Sequence, residues 1–196
     1  MQKKKILIIL GHPNKNANCG SFADAYEAGA KEGGHEVKRI NIGDLAFDPI
    51  LHKGYLEIQQ LEPDLVTAQE DIKWADHLVI IHPIWWGGMP AIFRGFFERI
   101  WVPHFAYVFR KEGFFKGILW DKLLKAKTAR IIIAMDNWPL FAQIQFGDTT
   151  HELKRCVLGF AGIRARVTSI GGMKFMSDVK KETWRTKLHA IGKKGK

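Results

Sequence analysis

The sequence predicts an α/β fold: a doubly wound, five-stranded parallel sheet in the order 2-1-3-4-5, with helices on both faces. Three observations predict it. Short apolar runs and helix-period segments alternate along the chain as β-α-β-α-β-α-β-α-β. The runs at 6–10 and 78–81 are apolar without interruption, the pattern of strands buried on both faces by crossover helices. No internal repeat, low-complexity stretch or Pro/Ser-rich linker divides the 196 residues, so one domain over 1–196 is the economical reading.

The first strand is expected at 4–10. A helical period over 19–32 puts Phe22, Ala25, Tyr26, Gly29 and Ala30 on one stripe, and Gly33-Gly34 ends it, glycine supplying the left-handed turn. Residues 36–42 alternate and read as a strand near the sheet edge. A long loop follows through Phe47-Asp48-Pro49-Ile50-Leu51. Pro63 opens the next helix, because a missing N–H costs nothing in the first turn. Its stripe is Leu61, Leu65, Ala68, Ile72 and Ala75. The third strand is 77–82, and the helix after Pro90 carries Ile92, Phe93, Phe96, Phe97 and Ile100. An aromatic-rich loop is expected over 101–120, a fourth strand at 129–135, a helix near 149–161 on Leu153, Val157 and Phe160, and a weaker fifth strand at 166–171. Ser177 is a suitable N-cap for a last helix whose inner face is Trp184, Leu188 and Ile191. Trp74, Trp101, Trp120 and Trp184 are assigned to packing.

Composition narrows the class. Hydrophobic residues make up 46% and charged residues 26%, as in soluble globular proteins. No apolar stretch approaches a membrane span. The lysines at the start precede an apolar run of only five residues, too short for a secretory signal, so Lys3-Lys4-Lys5 read as solvated residues before a strand. Cys19 and Cys156 form no CxxC pair and imply reduced thiols in the cytoplasm. Thirty Lys and Arg against twenty Asp and Glu give a formal charge of +10. The cations are scattered and no recognition-helix motif or zinc-finger spacing accompanies them, so a nucleic-acid partner is not expected; a phosphorylated anionic cofactor or co-substrate suits the charge. Eight histidines lack ligand spacing, so no metal site is expected.

In this topology the switch point lies between the first and third strands, and ligands bind outside the strands' carboxyl ends there. Two loops leave those ends. The first, Gly11-His12-Pro13-Asn14-Lys15-Asn16-Ala17-Asn18-Cys19-Gly20, is polar and leads into a helix N-terminus, where backbone N–H groups attract phosphate. Asn16 and Asn18 can cap or donate, and His12 and Lys15 can add charge. The second, Pro83-Ile84-Trp85-Trp86-Gly87-Gly88-Met89-Pro90, is aromatic, and its glycines let backbone approach a flat ring. A phosphate seat beside a ring seat suggests a flavin nucleotide. The sequence lacks G-x-G-x-x-G, G-x-x-x-x-G-K-[ST], G-x-S-x-G and H-E-x-x-H, which argues against dinucleotide-fingerprint, P-loop and two common hydrolase readings. Cys19 has no base pattern beside it and reads as packing at the helix start.

These residues resemble the flavodoxin-like NAD(P)H:quinone oxidoreductases of the DT-diaphorase type, and the shorter bacterial members most. The resemblance is carried by Gly11-His12, Phe47-Asp48-Pro49-Ile50-Leu51, Asp64-Leu65-Val66 with Gln69, and Ala75-Asp76-His77-Leu78-Val79. It continues through Pro83-Ile84-Trp85-Trp86, Pro90-Ala91-Ile92-Phe93-Arg94-Gly95-Phe96-Phe97-Glu98-Arg99, Phe105-Ala106-Tyr107 and Phe160-Ala161-Gly162. It implies a flavin held without a covalent bond, FAD with FMN as the alternative, and NAD(P)H as co-substrate. His12, Asn16, Asn18 and Cys19 would lie at the phosphates; Pro83, Ile84, Trp85, Trp86 and Gly87 would hold the isoalloxazine; Met135, Asp136 and Asn137 would line its other side. The resemblance further implies a homodimer, with Tyr107 and Phe109 near the partner's flavin. Tyr107 and Asp136 are the candidates for a catalytic role. Ala17-Asn18 replaces the family's usual Ser-Phe, and 138–148 lacks the Tyr and His of the mammalian enzymes.

The expected activity is ping-pong hydride transfer from NAD(P)H through the flavin to a quinone or similar small acceptor, with backbone N–H groups of 84–87 stabilising the reduced ring. The alternative is a regulatory or electron-carrier flavoprotein of the same fold.

Overall fold

The computed structural model describes residues 2–196. Its main sheet is built from β1 (Lys5–Leu10), β2 (Glu36–Asn41), β3 (His77–Pro83), β6 (Thr128–Ala134) and β7 (Arg164–Ile170), in the order β2-β1-β3-β6-β7. Every neighbouring pair is parallel. Counting only these five, the order is the expected 2-1-3-4-5.

The alternation of side chains along each strand sorts the core into two layers. Leu7 and Ile9 of β1, Leu78 and Ile80 of β3, and Ile131 and Ile133 of β6 face α2 (Pro63–Trp74) and α3 (Ala91–Ile100), where Leu65, Ile72, Phe93, Phe96 and Ile100 meet them. Ile6, Ile8 and Leu10, with Val79, Ile81 and Ile132, face α1 (Asn18–Glu32) and α5 (Asp178–Lys193), where Phe22, Tyr26 and Leu188 meet them. All seven residues of β3 are buried, as a central strand covered on both faces must be. Ser177 caps α5, its hydroxyl accepting from the Lys180 N–H at 3.4 Å. Trp184 and Ile191 pack partly buried beside Leu188.

Three elements depart from the sequence reading. The expected loop over 101–120 contains a two-stranded antiparallel hairpin, β4 (Tyr107–Phe109) with β5 (Trp120–Lys122). Strands of three residues are too short for alternation to register. The hairpin is pinned by Trp120, which stacks on Phe160 at 4.1 Å and donates to its carbonyl at 2.8 Å. A second addition is α4 (Pro139–Phe146), eight residues of which only Ala142 is buried. With no buried stripe it has no period to detect. The third is the segment expected as an ordinary helix near 149–161, which winds as a π-helix over Glu152–Gly159. Leu153 and Val157 do face the core there, but wider winding leaves no mark in a stripe of apolar residues.

The loop between β2 and α2 is tied down from α3. The Arg99 guanidinium, fully buried, pairs with Glu62 at 2.8 and 3.1 Å and donates to the carbonyls of Gln60, at 2.7 Å, and Asp48. The Glu62 carboxylate also accepts from the Asp48 N–H at 3.0 Å. One α3 side chain thus ties the interior of a long connection at Asp48 to its end at Gln60 and Glu62.

Candidate functional site

Successive backbone bonds stitch together the loops at the carboxyl edge of the sheet. Gly11 N–H donates to the Ile81 carbonyl at 2.8 Å, Ile84 N–H to Ala134 at 2.8 Å, and Met135 N–H to Ile170 at 2.9 Å. The loops after β1, β3 and β6 therefore leave the sheet side by side, at the reversal of winding between β1 and β3.

The first loop ends at an uncapped helix. Ala17 occupies the N-cap of α1 and offers no side-chain acceptor. Among the described residues, the N–H groups of Asn18 and Cys19 have no hydrogen-bond partner. A helix N-terminus left open in this way carries partial positive charge toward whatever faces it. The approach is tight: a Cβ at Gly20 would overlap the Lys15 carbonyl oxygen, so the loop can fold back over the helix start only with glycine there. The Asn14 N–H donates to His12 Nδ1 at 2.9 Å, which leaves Nε2 of the neutral ring as the donor. Burial lowers the His12 pKa and favours that neutral form. Burial also pushes the Cys19 thiol up to about 12, so it remains protonated packing; what Cys19 offers a ligand is its backbone.

The second loop is a tight turn. Trp85 and Gly88 exchange both backbone hydrogen bonds, at 2.9 and 3.0 Å. Between them Trp86 has φ 51° and Gly87 φ 78°. Positive φ at both central positions is the type I′ geometry, which a glycine takes freely and a tryptophan only at a cost. The Trp86 indole is fully solvent-exposed, while Trp85 is 45% exposed and meets the His12 ring edge-on at 5.4 Å.

One groove of about 200 Å³ joins these parts. His12, Asn18, Cys19, Pro83, Ile84, Trp85, Met135 and Asp136 line it, all of them expected site residues. Ala17, Ala134 and Met173 line it too. Met173 was not anticipated. It arrives through the turn after β7, whose Gly172 has φ 70° and whose Met173 N–H donates to the Met135 carbonyl at 3.1 Å. The Gly171-Gly172 pair closing the last strand was the available signal. Asp136 is exposed and is the one carboxylate among the lining residues.

Other expected residues lie outside the groove lining. Asn16 sits in the loop over α1, its N–H donating to Asn14 Oδ1 at 2.9 Å. Trp86 and Gly87 form the tip of the turn. Asn137 turns away toward α4, donating to Gln145 at 3.4 Å. Lys15 does not add charge to the helix start: its ammonium pairs with Asp44 at 2.9 Å. The expectation that N–H groups throughout 84–87 face a ring also narrows, since those of Ile84 and Trp85 are used by the fold and only those of Trp86 and Gly87 stay unpaired. Tyr107 is not brought to this groove within the chain. It packs edge-on against Phe160 at 4.8 Å and Phe109 at 5.4 Å, and burial raises its pKa.

Behind the turn, His82 is fully buried, its Nδ1 2.9 Å from the Pro83 carbonyl, and burial holds its pKa down to about 4.

Comparison with known proteins agrees with this architecture. The profile of the flavodoxin-like fold family matches residues 4–193. NAD(P)H dehydrogenase [quinone] 1 of Cavia porcellus is 30% identical over 127 residues, covering 54% of this chain and 46% of that protein. An FMN-dependent NADH:quinone oxidoreductase of Ruegeria pomeroyi is 26% identical over 164 residues, covering 76% of this chain and 78% of that protein. The solved structure of an NAD(P)H:quinone oxidoreductase from Methanothermobacter marburgensis superposes with a TM-score of 0.83 over the whole of both chains at 20% identity, a likeness of fold. The chain spans about half the length of the Cavia porcellus relative. From the fold, the sheet order and the match over nearly its whole length, this chain belongs to the flavodoxin-like fold family, with quinone oxidoreductases among its relatives.

Proposed function

We propose that this chain binds a flavin nucleotide, FMN or FAD, in the groove and works as an NAD(P)H:quinone oxidoreductase. One observation carries the reading: a single groove joins an uncapped helix N-terminus, suited to phosphate, to the base of a tight turn where the Trp85 indole forms a wall, and the unpaired N–H groups of the turn's tip lie just outside the lining. The donor set fits the group. The N–H groups of Asn18 and Cys19 and the Nε2–H of His12 would hold phosphate. Those of Trp86 and Gly87 would donate to the ring's heteroatoms, with Trp85, Ile84 and Met135 as apolar walls. Asn16 and Asn137 flank the two ends. The FMN dependence of the Ruegeria pomeroyi relative favours FMN.

Bound there, the flavin would supply the two-electron chemistry between NAD(P)H and a quinone, and one shared groove suits a ping-pong order. The chain supplies positions and fixed dipoles. The unpaired N–H groups of Trp86 and Gly87, at the tip of the turn beside the groove, would favour negative charge on the ring without reorganising. Asp136, exposed at the groove, is assigned proton exchange with the acceptor.

We also propose a homodimer. Its support is the exposed apolar surface of the hairpin, with Phe109, Phe114, Phe115 and Ile118, and of α4, with Leu140, Phe141 and Ile144. In that assembly Tyr107 and Phe109 serve the groove of the second copy, which accounts for Tyr107 lying away from its own. Free Cys19 and Cys156 fit a cytoplasmic location, and no helix among the described residues is long and apolar enough to cross a membrane.

The test is oxidation of NADH or NADPH with menadione by the purified chain, beside the Trp85→Ala/Trp86→Ala variant. The variant loses its flavin or its rate. A variant that keeps both contradicts the ring seat.

A further inference from the structure

The opposite edge of the sheet holds a second concave surface, and its charged side chains are all of one sign. Strands of seven residues rise about 3.3 Å per residue, so this edge lies ~20 Å from the flavin groove. A pocket of about 420 Å³ opens there, and Lys4, His77, Thr128, Arg130, Arg164 and Arg166 supply its polar wall. The register explains the convergence. His77 of β3 pairs with Thr128 of β6, and Thr128 with Arg164 of β7; two residues on, Arg130 pairs with Arg166. Residues two apart on a strand share a face, so both rows point the same way.

Several cations elsewhere pair with carboxylates: Lys38 with Asp71, Arg39 with Asp24 and Glu27, Arg110 with Asp121, Lys125 with Asp76. Among the described residues no Asp or Glu side chain serves Lys4, Arg130, Arg164 or Arg166, and none lines the pocket; the one anion there is the Lys196 terminal carboxylate, held by Arg130. Lys4 donates to the Gly195 carbonyl at 2.7 Å, and Arg130 to a terminal carboxylate oxygen of Lys196 at 2.7 Å and to Thr168 at 2.8 Å. Among the described residues Arg164 and Arg166 make no side-chain hydrogen bond. Half-buried Arg130 has its pKa lowered by desolvation, and the Arg166 charge adds to that. His77, 3% exposed, has Nδ1 2.8 Å from Thr128 Oγ1 and a buried Nε2 without a partner. Like charges held together at a concave surface repel, and a ligand of opposite sign relieves the repulsion.

We infer that this pocket is a binding site for a phosphate group, distinct from the flavin seat. Three guanidiniums and an ammonium suit a tetrahedral dianion or a diphosphate, because each guanidinium fork can present two N–H groups to one phosphate. Thr128 can donate its hydroxyl to the same group.

The test is a calorimetric titration of the full chain with pyrophosphate at fixed ionic strength, beside an Arg164→Gln/Arg166→Gln variant. Both side chains lie on the sheet's edge strand and are largely exposed, so the variant keeps the core. Saturable binding that weakens at least tenfold in the variant, with flavin content unchanged, is the expected result. A Lys4→Gln chain gives a second reading and weakens binding in the same direction. Vesicles carrying phosphatidic acid sediment the parent chain and not the variant where the phosphate belongs to a lipid headgroup. Pyrophosphate binding without sedimentation marks a soluble phosphate compound. No heat with pyrophosphate, or equal affinity in parent and variants, overturns the assignment.

Discussion

Lowering the pH from 7 to 5 destabilises this chain through two buried histidines. His77 opens β3 and is 3% exposed, and His82 near its end is fully buried. Burial pushes both values down from 6.5 to about 4. In the unfolded chain each returns to about 6.5. Between those two values the unfolded chain therefore holds protons that the folded chain does not. The side that binds more protons gains as pH falls, so the contribution is complete above pH 6.5 and is lost progressively toward pH 4. Linkage with these values gives about 2 kcal/mol per histidine between pH 7 and 5, or about 4 kcal/mol for the pair. That is a large share of a domain stability of roughly 5–15 kcal/mol. Asp76, held low by its ion pair with Lys125, acts in the same direction but from the carboxylate range downward, so it loses its contribution only on further acidification. The assay is urea unfolding at several pH values between 7 and 5, in the parent chain and in His77→Asn/His82→Asn. Asparagine can keep the hydrogen bond to the Pro83 carbonyl and cannot titrate. The parent should lose about 4 kcal/mol more than the variant over this range. Equal losses in the two chains would refute the reasoning.

Glu62→Ala leaves the fully buried Arg99 guanidinium without its counter-charge, and unfolding free energy should fall by about 3–5 kcal/mol; a loss under about 1 kcal/mol would show that water reaches the site. Ala17→Asp separates stability from binding. It supplies the missing cap of α1 and should stabilise the flavin-free chain by roughly 1 kcal/mol in urea. The same carboxylate stands at the proposed phosphate seat, so FMN affinity should drop at least tenfold; unchanged affinity would move the phosphate elsewhere.

The sheet was legible because burial on both faces writes itself as unbroken apolar runs, as in β1 and β3, and because helix stripes such as Leu65, Ala68 and Ile72 bury one side only. The position of the groove followed from topology, since loops leaving adjacent parallel strands must emerge together. Finer features had no sequence signature. The exposed α4 has no buried stripe, and the three-residue strands of the hairpin cannot alternate visibly. The Arg99–Glu62 pair joins residues far apart in the chain. The unpaired N–H groups of Trp86 and Gly87 depend on which neighbouring amides the fold has already used, which only three-dimensional register decides. Lys15 looked like charge for the phosphate because its partner Asp44 belongs to the turn after β2.

The most direct measurement is a titration of the flavin-free chain with FMN and FAD, followed by quenching of tryptophan fluorescence, with mass spectrometry of the cofactor released from freshly purified protein. Trp85 stands at the groove, so saturable one-to-one quenching and release of one of the two nucleotides are predicted. Purified protein that is colourless, releases no flavin and shows no quenching with either nucleotide would contradict the account.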